Sequence, residues 1–403
     1  MTFLISSNVA RPGDDPIFAL NSEARARAQA GESVINATVG ALLDDEGRLA
    51  VIAGVAEALR EVPAEVSAGY APIVGPPAFL RAVVADLVGD RPESAWAVAA
   101  ATPGGSGALR MAVTSFLEPG QALLVPSFYW GPYKTIADDS GRALSTFRMF
   151  DETGRLDTAD FAAKLADHLD KQGRALAILN SPCNNPTGYS FDDDEWRAVV
   201  DAVTRLAPRG PIALVFDVAY ARYGAADLSR AVDAVLPLAD KAQILFTWSA
   251  SKSFTEYGLR VGALVAVHPD AEERRRLDSA FAFACRGTWS NCNAGGMAAI
   301  TRVLTEPALR ARVDRERGAL KALLDRRVAR WNELAGKAAL RYPRYDGGFF
   351  TTVFCDDAPA VAQRLKAEGV FVVPQAGALR VALCSVAERD VPRLVDAIAR
   401  ALR

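Results

Sequence analysis

Lysine is scarce in this chain: eight of its 46 basic residues are lysine, and the rest are arginine. One of the eight, Lys252, stands in SASKSFTEYGLRVG, residues 249–262, directly behind the apolar run Ile244-Leu245-Phe246-Thr247-Trp248. Such a run predicts a short buried strand, and open α/β sheets place their ligands just beyond the C-terminal ends of their strands. A desolvated lysine can lose its proton and attack a carbonyl carbon, chemistry that arginine lacks. Ser249 and Ser251 flank Lys252, and the fork of Arg260 follows; together they suit a phosphate monoester. Taken alone, the stretch also reads as a solvated loop with an incidental lysine.

Other loops behind apolar runs add complementary groups. ATPGGSGALRMAVTSFL, 101–117, opens a helix with Gly105 and Ser106 at its start, where backbone N–H groups and the helix dipole cradle an anion. No GK[ST] follows, so this is not a P-loop. In PSFYWGPYK, 126–134, Trp130 either stacks on a flat ring or packs its own loop. In SPCNNPTG, 181–188, Asn185 either bonds a ligand or fixes the Asn-Pro turn. In DVAYARYG, 217–224, Asp217 ends a strand-like run, and burying it requires a partner such as a cationic ring nitrogen. Tyr220 stands ready to donate to a phenolate-like oxygen. Arg286 and Arg380 lie in aromatic or apolar contexts that suit carboxylate recognition. Gly40, in NATVGALLDDEG, allows close backbone approach or simply makes a turn. Tyr70 alone reads as a core or interface aromatic. The set describes one ligand: a flat ring with a protonated nitrogen, a hydroxyl, a carbonyl carbon and a phosphate.

SASKSFTEYGLRVG, DVAYARYG, NNPTG, TPGGSGALR and WGPYK, in this order and spacing, resemble the class I aminotransferases of the aspartate/aromatic type. These are pyridoxal 5'-phosphate (PLP) enzymes of fold type I, and the resemblance runs from DPIFAL, 15–20, to the C-terminus. It implies that Lys252 joins the cofactor's aldehyde and later moves a proton at the substrate's Cα. Asp217 would keep the pyridine nitrogen protonated, Asn185 and Tyr220 would bond the ring hydroxyl, and Trp130 would stack on the ring. Arg260, Ser249, Ser251, Gly105 and Ser106 would hold the phosphate, with Tyr70 reaching in from a neighbouring subunit. Arg380 matches the arginine that takes the substrate's α-carboxylate. Arg286, near Ser290 and Asn291, matches the partner-subunit arginine for a distal carboxylate, and Gly40 matches a loop that closes over substrate.

The implied activity is ping-pong transfer of an amino group between an L-amino acid, aromatic or dicarboxylic, and a 2-oxo acid such as 2-oxoglutarate. A homodimer with shared active sites goes with it. Leu42 stands where the family often has tyrosine, Trp289 and Asn293 alter the loop after Arg286, and Phe349 and Phe350 add bulk; these departures favour aromatic substrates. A PLP-dependent lyase or decarboxylase on the same scaffold is the rival reading. The effector domain of a transcriptional regulator is a third, but it needs a basic DNA-binding module, for which the sequence ahead of the pattern leaves no room.

The elements that must position these residues follow from the pattern of runs. Residues 122–125, 175–179, 212–216, 244–248 and 263–267 are short, continuously apolar and end in turn-rich loops. That predicts an α/β fold, a mostly parallel central sheet flanked by helices. Residues 306–335 carry a long amphipathic helix pattern; 345–354 and 378–383 read as strands, 358–369 and 388–402 as helices. At 403 residues two domains are expected: a large PLP-binding domain over 46–304, and a smaller α+β domain from 1–45 and 305–403.

A net charge of −2 gives no footprint for nucleic acid or an anionic membrane. No run is long enough to span a bilayer, and MTFLISSNVARPG is not a signal peptide. Five scattered cysteines fit reduced thiols in a cytoplasm. The two histidines, His168 and His268, are expected at the surface, and no metal site is expected.

Overall fold

Seven apolar segments pair into one sheet: β1 (Ala97–Pro103), β2 (Ala122–Pro126), β3 (Ala143–Phe147), β4 (Ala175–Leu179), β5 (Ile212–Asp217), β6 (Gln243–Ser249) and β7 (Val261–Val267). Their order is β1-β7-β6-β5-β4-β2-β3. β7 runs antiparallel to β1 and β6, and the remaining pairs are parallel. The computed structural model describes residues 2–9, 11, 13 and 16–403; Asp15, where the resemblance begins, lies outside them.

Continuous apolar runs mark strands covered on both faces, and β2, β4, β5, β6 and β7 are buried almost throughout, whereas the edge strands β1 and β3 are only partly buried. Leu176 and Ile178 of β4 enter one core cluster, whereas Ala175, Ala177 and Leu179 enter the other. Ala213 and Val215 of β5 divide from Ile212, Leu214 and Phe216 in the same way. The sheet also includes β1 and β3, which lie outside the expected runs and occupy the two edges. Register aligns the functional strand ends. Asp217 pairs with Thr247, Ser249 with Gly262, and Pro103 with Val261, so β1, β5 and β6 finish where β7 begins.

Contacts divide the chain into two compact units. One comprises residues 50–325 with 343–349, the other residues up to 49 with 326–342 and 350–403. Residues 305–325 and 343–349 thus group with the sheet, not with the smaller portion expected for them. The smaller unit contains a three-stranded antiparallel sheet in the order Val373–Gln375, Ala378–Val381, Thr351–Phe354, and a parallel pair of Ile35–Asn36 with Val370–Phe371.

Three expectations shift. The strand expected over 345–354 forms only at Thr351–Phe354, because Gly347 and Gly348 take φ of +146° and +82°. A Cβ at Gly347 would lie 2.6 Å from the Gly224 Cα, and one at Gly348 would lie 2.5 Å from the Cys183 Cβ. The closing helix spans Val391–Ala401, preceded by a 3₁₀ turn, Glu388–Asp390. His168 is buried, not at the surface: it continues the inward face of Thr158–Gln172 with Phe161, Leu165 and Leu169, and its Nε2 lies 2.6 Å from the Ser145 Oγ. His268 is half-buried and accepts from the Asp270 N–H. All five cysteines are buried free thiols. Among the described residues no helix is long and apolar enough to cross a membrane.

Candidate active site

One cavity at these strand ends is lined by Gly105, Ser106, Trp130, Asn185, Asp217, Tyr220, Ser249, Ser251, Lys252 and Arg260, together with Leu109, Asn180 and Ala219. The loops that follow β1, β2, β4, β5 and β6 therefore deliver their chemistry to one place.

Asp217 dominates one end. It is 7 % exposed; its Oδ2 accepts from the Tyr133 hydroxyl at 2.6 Å and its Oδ1 from the Ala219 N–H at 3.2 Å. Burial raises its pKa above the ordinary carboxylate value, with the Tyr133 bond and then the Ala219 N–H and the Lys252 charge opposing the shift. Tyr133 itself is held far above its ordinary value, by burial first and by the Asp217 charge second, so its phenol stays protonated and is the donor. Asn180 ties two loops together: its Nδ2 donates to the Asp217 carbonyl at 2.7 Å, and its Oδ1 accepts from the Asn185 N–H at 2.7 Å. The Asn-Pro turn is fixed by Asn184, whose Oδ1 accepts from Thr187 N–H and hydroxyl. Asn185 is thereby left for the cavity, its Nδ2 3.5 Å from the Tyr220 hydroxyl and its Oδ1 buried without a partner. The Lys252 Nζ lies 5.6 Å from the ring centroids of both Tyr220 and Tyr257.

The other end is built from backbone. The 13-residue helix Gly104–Phe116 begins beside Arg260, which is exposed and sits at φ +57°. Arg260 donates to the Ser251 hydroxyl at 3.2 Å and to the Tyr257 carbonyl at 2.9 Å. A Cβ on Gly104 would lie 2.5 Å from the Arg260 Nη2, and one on Gly262 2.5 Å from the Gly104 carbonyl carbon. Only glycine fits at either place, and Gly104 also takes φ +71°. Ser249 caps Ala250–Ser253 by accepting from the Ser251 N–H, which turns the chain so that Lys252 faces the cavity.

Tyr133, Asn180, Gly104 and Tyr257 join the site without having been singled out in the sequence, as does Asp86. That carboxylate, 3 % exposed at its side chain, bonds the Trp248 Nε1 at 2.9 Å and pairs with Arg222 and Arg310, so it braces the loops carrying Lys252 and Tyr220.

Four expected residues do not line this cavity. Tyr70 is 95 % exposed, and Arg286 is exposed with its Nη1 3.0 Å from the Ser290 hydroxyl. Gly40 and Arg380 belong to the smaller unit. There the buried Arg380 donates to the Thr38 carbonyl at 2.6 Å and lies 4.7 Å from the Phe350 ring centroid. A Cβ on Gly40 would fall 2.3 Å from the Phe350 Cζ. Phe349 packs edge-on against Tyr220 and Tyr223, and Asn293 serves as an N-cap, accepting from the Gly296 N–H at 2.9 Å.

Residues 32–398 match the model of the aminotransferase class I and II family, and the chain belongs to that family. It is therefore a transaminase, an enzyme that moves an amino group between an amino acid and a 2-oxo acid, with PLP as cofactor. It is 28 % identical to an aromatic-amino-acid aminotransferase of Paracoccus denitrificans, across 97 % of this chain and 98 % of that one. It is also 28 % identical to an aspartate aminotransferase of Pseudomonas aeruginosa, across 96 % and 97 %. Among solved structures, an aminotransferase from Anaerococcus prevotii superposes with a TM-score of 0.94 at 30 % identity over 100 % of both chains. An aromatic-amino-acid aminotransferase from Burkholderia pseudomallei, covalently bound to pyridoxal phosphate, gives 0.83 at 25 % identity over 99 % and 100 %.

The residues present fit this cofactor. A buried carboxylate raised by desolvation is suited to a cationic ring nitrogen, the orphaned Asn185 Oδ1 marks unmet polar capacity beside it, and the glycine-lined helix start suits a phosphate.

Proposed function

We propose that the cavity performs the amino transfer with an aromatic or dicarboxylic L-amino acid as donor and a 2-oxo acid such as 2-oxoglutarate as acceptor. The observation that carries this reading is the gathering of Lys252, Asp217, Asn185, Tyr220 and Trp130 around one cavity that ends in the Gly104–Arg260 cradle. Bound PLP supplies an electron-withdrawing ring that stabilises negative charge at the substrate's Cα. Lys252 would bind the cofactor's aldehyde carbon and, once displaced from it by the substrate's amino group, would move the proton at Cα. Asp217 would keep the ring nitrogen protonated, Asn185 and Tyr220 would hydrogen-bond the ring oxygen, and Trp130 would pack on the ring. Gly105, Ser106, Ser251 and Arg260 hold the phosphate, with Ser249 shaping the turn that presents them.

Arg380 takes the α-carboxylate and Gly40 belongs to the closing loop. The large exposure of Tyr70 and Arg286 supports a homodimer in which each reaches the other subunit's site. The unit containing the seven-stranded sheet is the cofactor-binding domain, and the five free thiols support a cytoplasmic location.

The test is the absorption spectrum of purified protein supplied with PLP, before and after single amino acids without any 2-oxo acid. A visible band lost on adding aspartate, glutamate or an aromatic amino acid is expected; a band that no amino acid alters would overturn the reading. Arg286→Ala should weaken dicarboxylates by about 10- to 100-fold more than monocarboxylates, the scale of one lost charged hydrogen-bonded pair. Equal losses would remove Arg286 from substrate recognition.

A further inference from the structure

We propose that Tyr133 is the positioning residue that keeps the Asp217 carboxylate charged and fixed toward the ring nitrogen, a role that rests on the cofactor reading above. The pair is 84 positions apart in sequence and meets at 2.6 Å, with Tyr133 at 1 % and Asp217 at 7 % exposure. The two carboxylate oxygens have different anchors. Oδ1 takes a backbone N–H from the next turn of its own loop, whereas Oδ2 takes the Tyr133 hydroxyl, which arrives on a separate element, the helix Pro132–Asp139.

The hydroxyl has little freedom to move away. Trp130 stands edge-on to the Tyr133 ring, with centroids 5.6 Å apart at 87°, and Tyr129 stacks alongside at 6.5 Å and 13°. The same short loop therefore supplies the aromatic that lines the cavity and the donor that faces its carboxylate. The charged and titratable groups acting on Asp217 are Tyr133 from this helix and Lys252 from the loop after β6, while Tyr220, from the loop after Asp217, acts on Tyr133. Thr247 is its register neighbour on β6 and carries no charge. Because the phenol stays protonated, it donates throughout the working range and favours the ionised carboxylate over the protonated one.

Loss of that donor leaves the Asp217 carboxylate more basic, so that it would draw the shared proton away from the ring nitrogen. A ring carrying less positive charge would withdraw fewer electrons, and the amine of Lys252 held against it would be more basic. A residue that merely fills space would leave this basicity unchanged.

The experiment is a pH titration of the visible absorption of the PLP-loaded protein, in wild type, in Tyr133→Phe and with 3-fluorotyrosine at position 133. Tyr133→Phe should raise the midpoint by about half a unit to one unit and weaken PLP retention by about tenfold. The fluorinated residue keeps the fold and strengthens the donor, so its midpoint should fall below that of wild type; it decides the matter alone if the Phe variant does not fold. A folded Phe variant with the wild-type midpoint, whatever its stability, overturns the proposal, as does an unmoved midpoint in the fluorinated protein. A wild-type protein that acquires no visible band with PLP would remove the cofactor reading itself, and this inference with it.

Discussion

Asp217, at the end of β5, and Arg260, at the start of β7, line one cavity with only the end of β6 between them. Asp217 is 7 % exposed and takes its bonds from a neighbouring helix and its own loop; Arg260 is exposed and donates to the backbone carbonyls of Tyr257 and Pro103 and to the Ser251 hydroxyl. A buried charge is costly unless it is paired, and a cationic ring nitrogen on the ligand completes the pairing that the Tyr133 and Ala219 donors begin. A phosphate arrives with its own charge and is met by N–H groups and a fork at the rim, so what matters there is room for the backbone. One end is organised by electrostatics in a dry place, the other by sterics near water.

The first way to break this comparison is Lys252→Ala, which should cut turnover by about 10⁴-fold while the fold persists. Retained turnover would place the chemistry elsewhere.

Asp217→Asn should cost about 10²- to 10³-fold in turnover, the scale of one preorganised electrostatic group. Its effect on the cofactor-free protein has the opposite sign. Burial raises the folded-state pKa of Asp217 above the unfolded one, so the folded chain binds that proton more tightly. Ionisation of the folded chain therefore costs stability, and that cost begins to shrink as pH falls through the raised value and is gone only below the ordinary carboxylate value. Cofactor-free Asp217→Asn should thus resist urea better than wild type at neutral pH, with the difference closing in acid. Equal stability at neutral pH would show that the carboxylate is not strained.

Gly104→Ala should weaken PLP by about 10- to 100-fold, because its Cβ displaces the Arg260 guanidinium and its φ suits glycine. Titration with PLP would measure this, and wild-type affinity would refute the steric account. Arg260→Lys should cost least, about tenfold in PLP affinity, since the charge remains and the fork is lost. A loss greater than that of Gly104→Ala would mean that charge and not room governs this end.

Most of the residues singled out around the cavity were legible because they stand at or just behind the ends of apolar runs, in turn-rich segments. Asn180 carried the same signal, sitting directly behind β4 as Asp217 ends β5, and could have been found from it. Tyr133 and Asp86 carried none: their partners lie 84 and 162 positions away, brought near by the order of strands and helices. Gly104 was visible as one of several glycines, and only the crossing of Arg260 distinguishes it. The unit boundary at 325/326 was hidden because the helix Pro307–Lys337 runs through it unbroken, so periodicity shows no seam.

The contact between Gly40 and Phe350 makes two distant positions a single heritable unit. Since a methyl group at 40 would overlap the aromatic ring at 350, which also faces the guanidinium of Arg380, position 40 is held at glycine for as long as that ring is present. A library that varies position 40 alone would find almost nothing, whereas a small side chain at 40 becomes admissible once the residue at 350 is shortened.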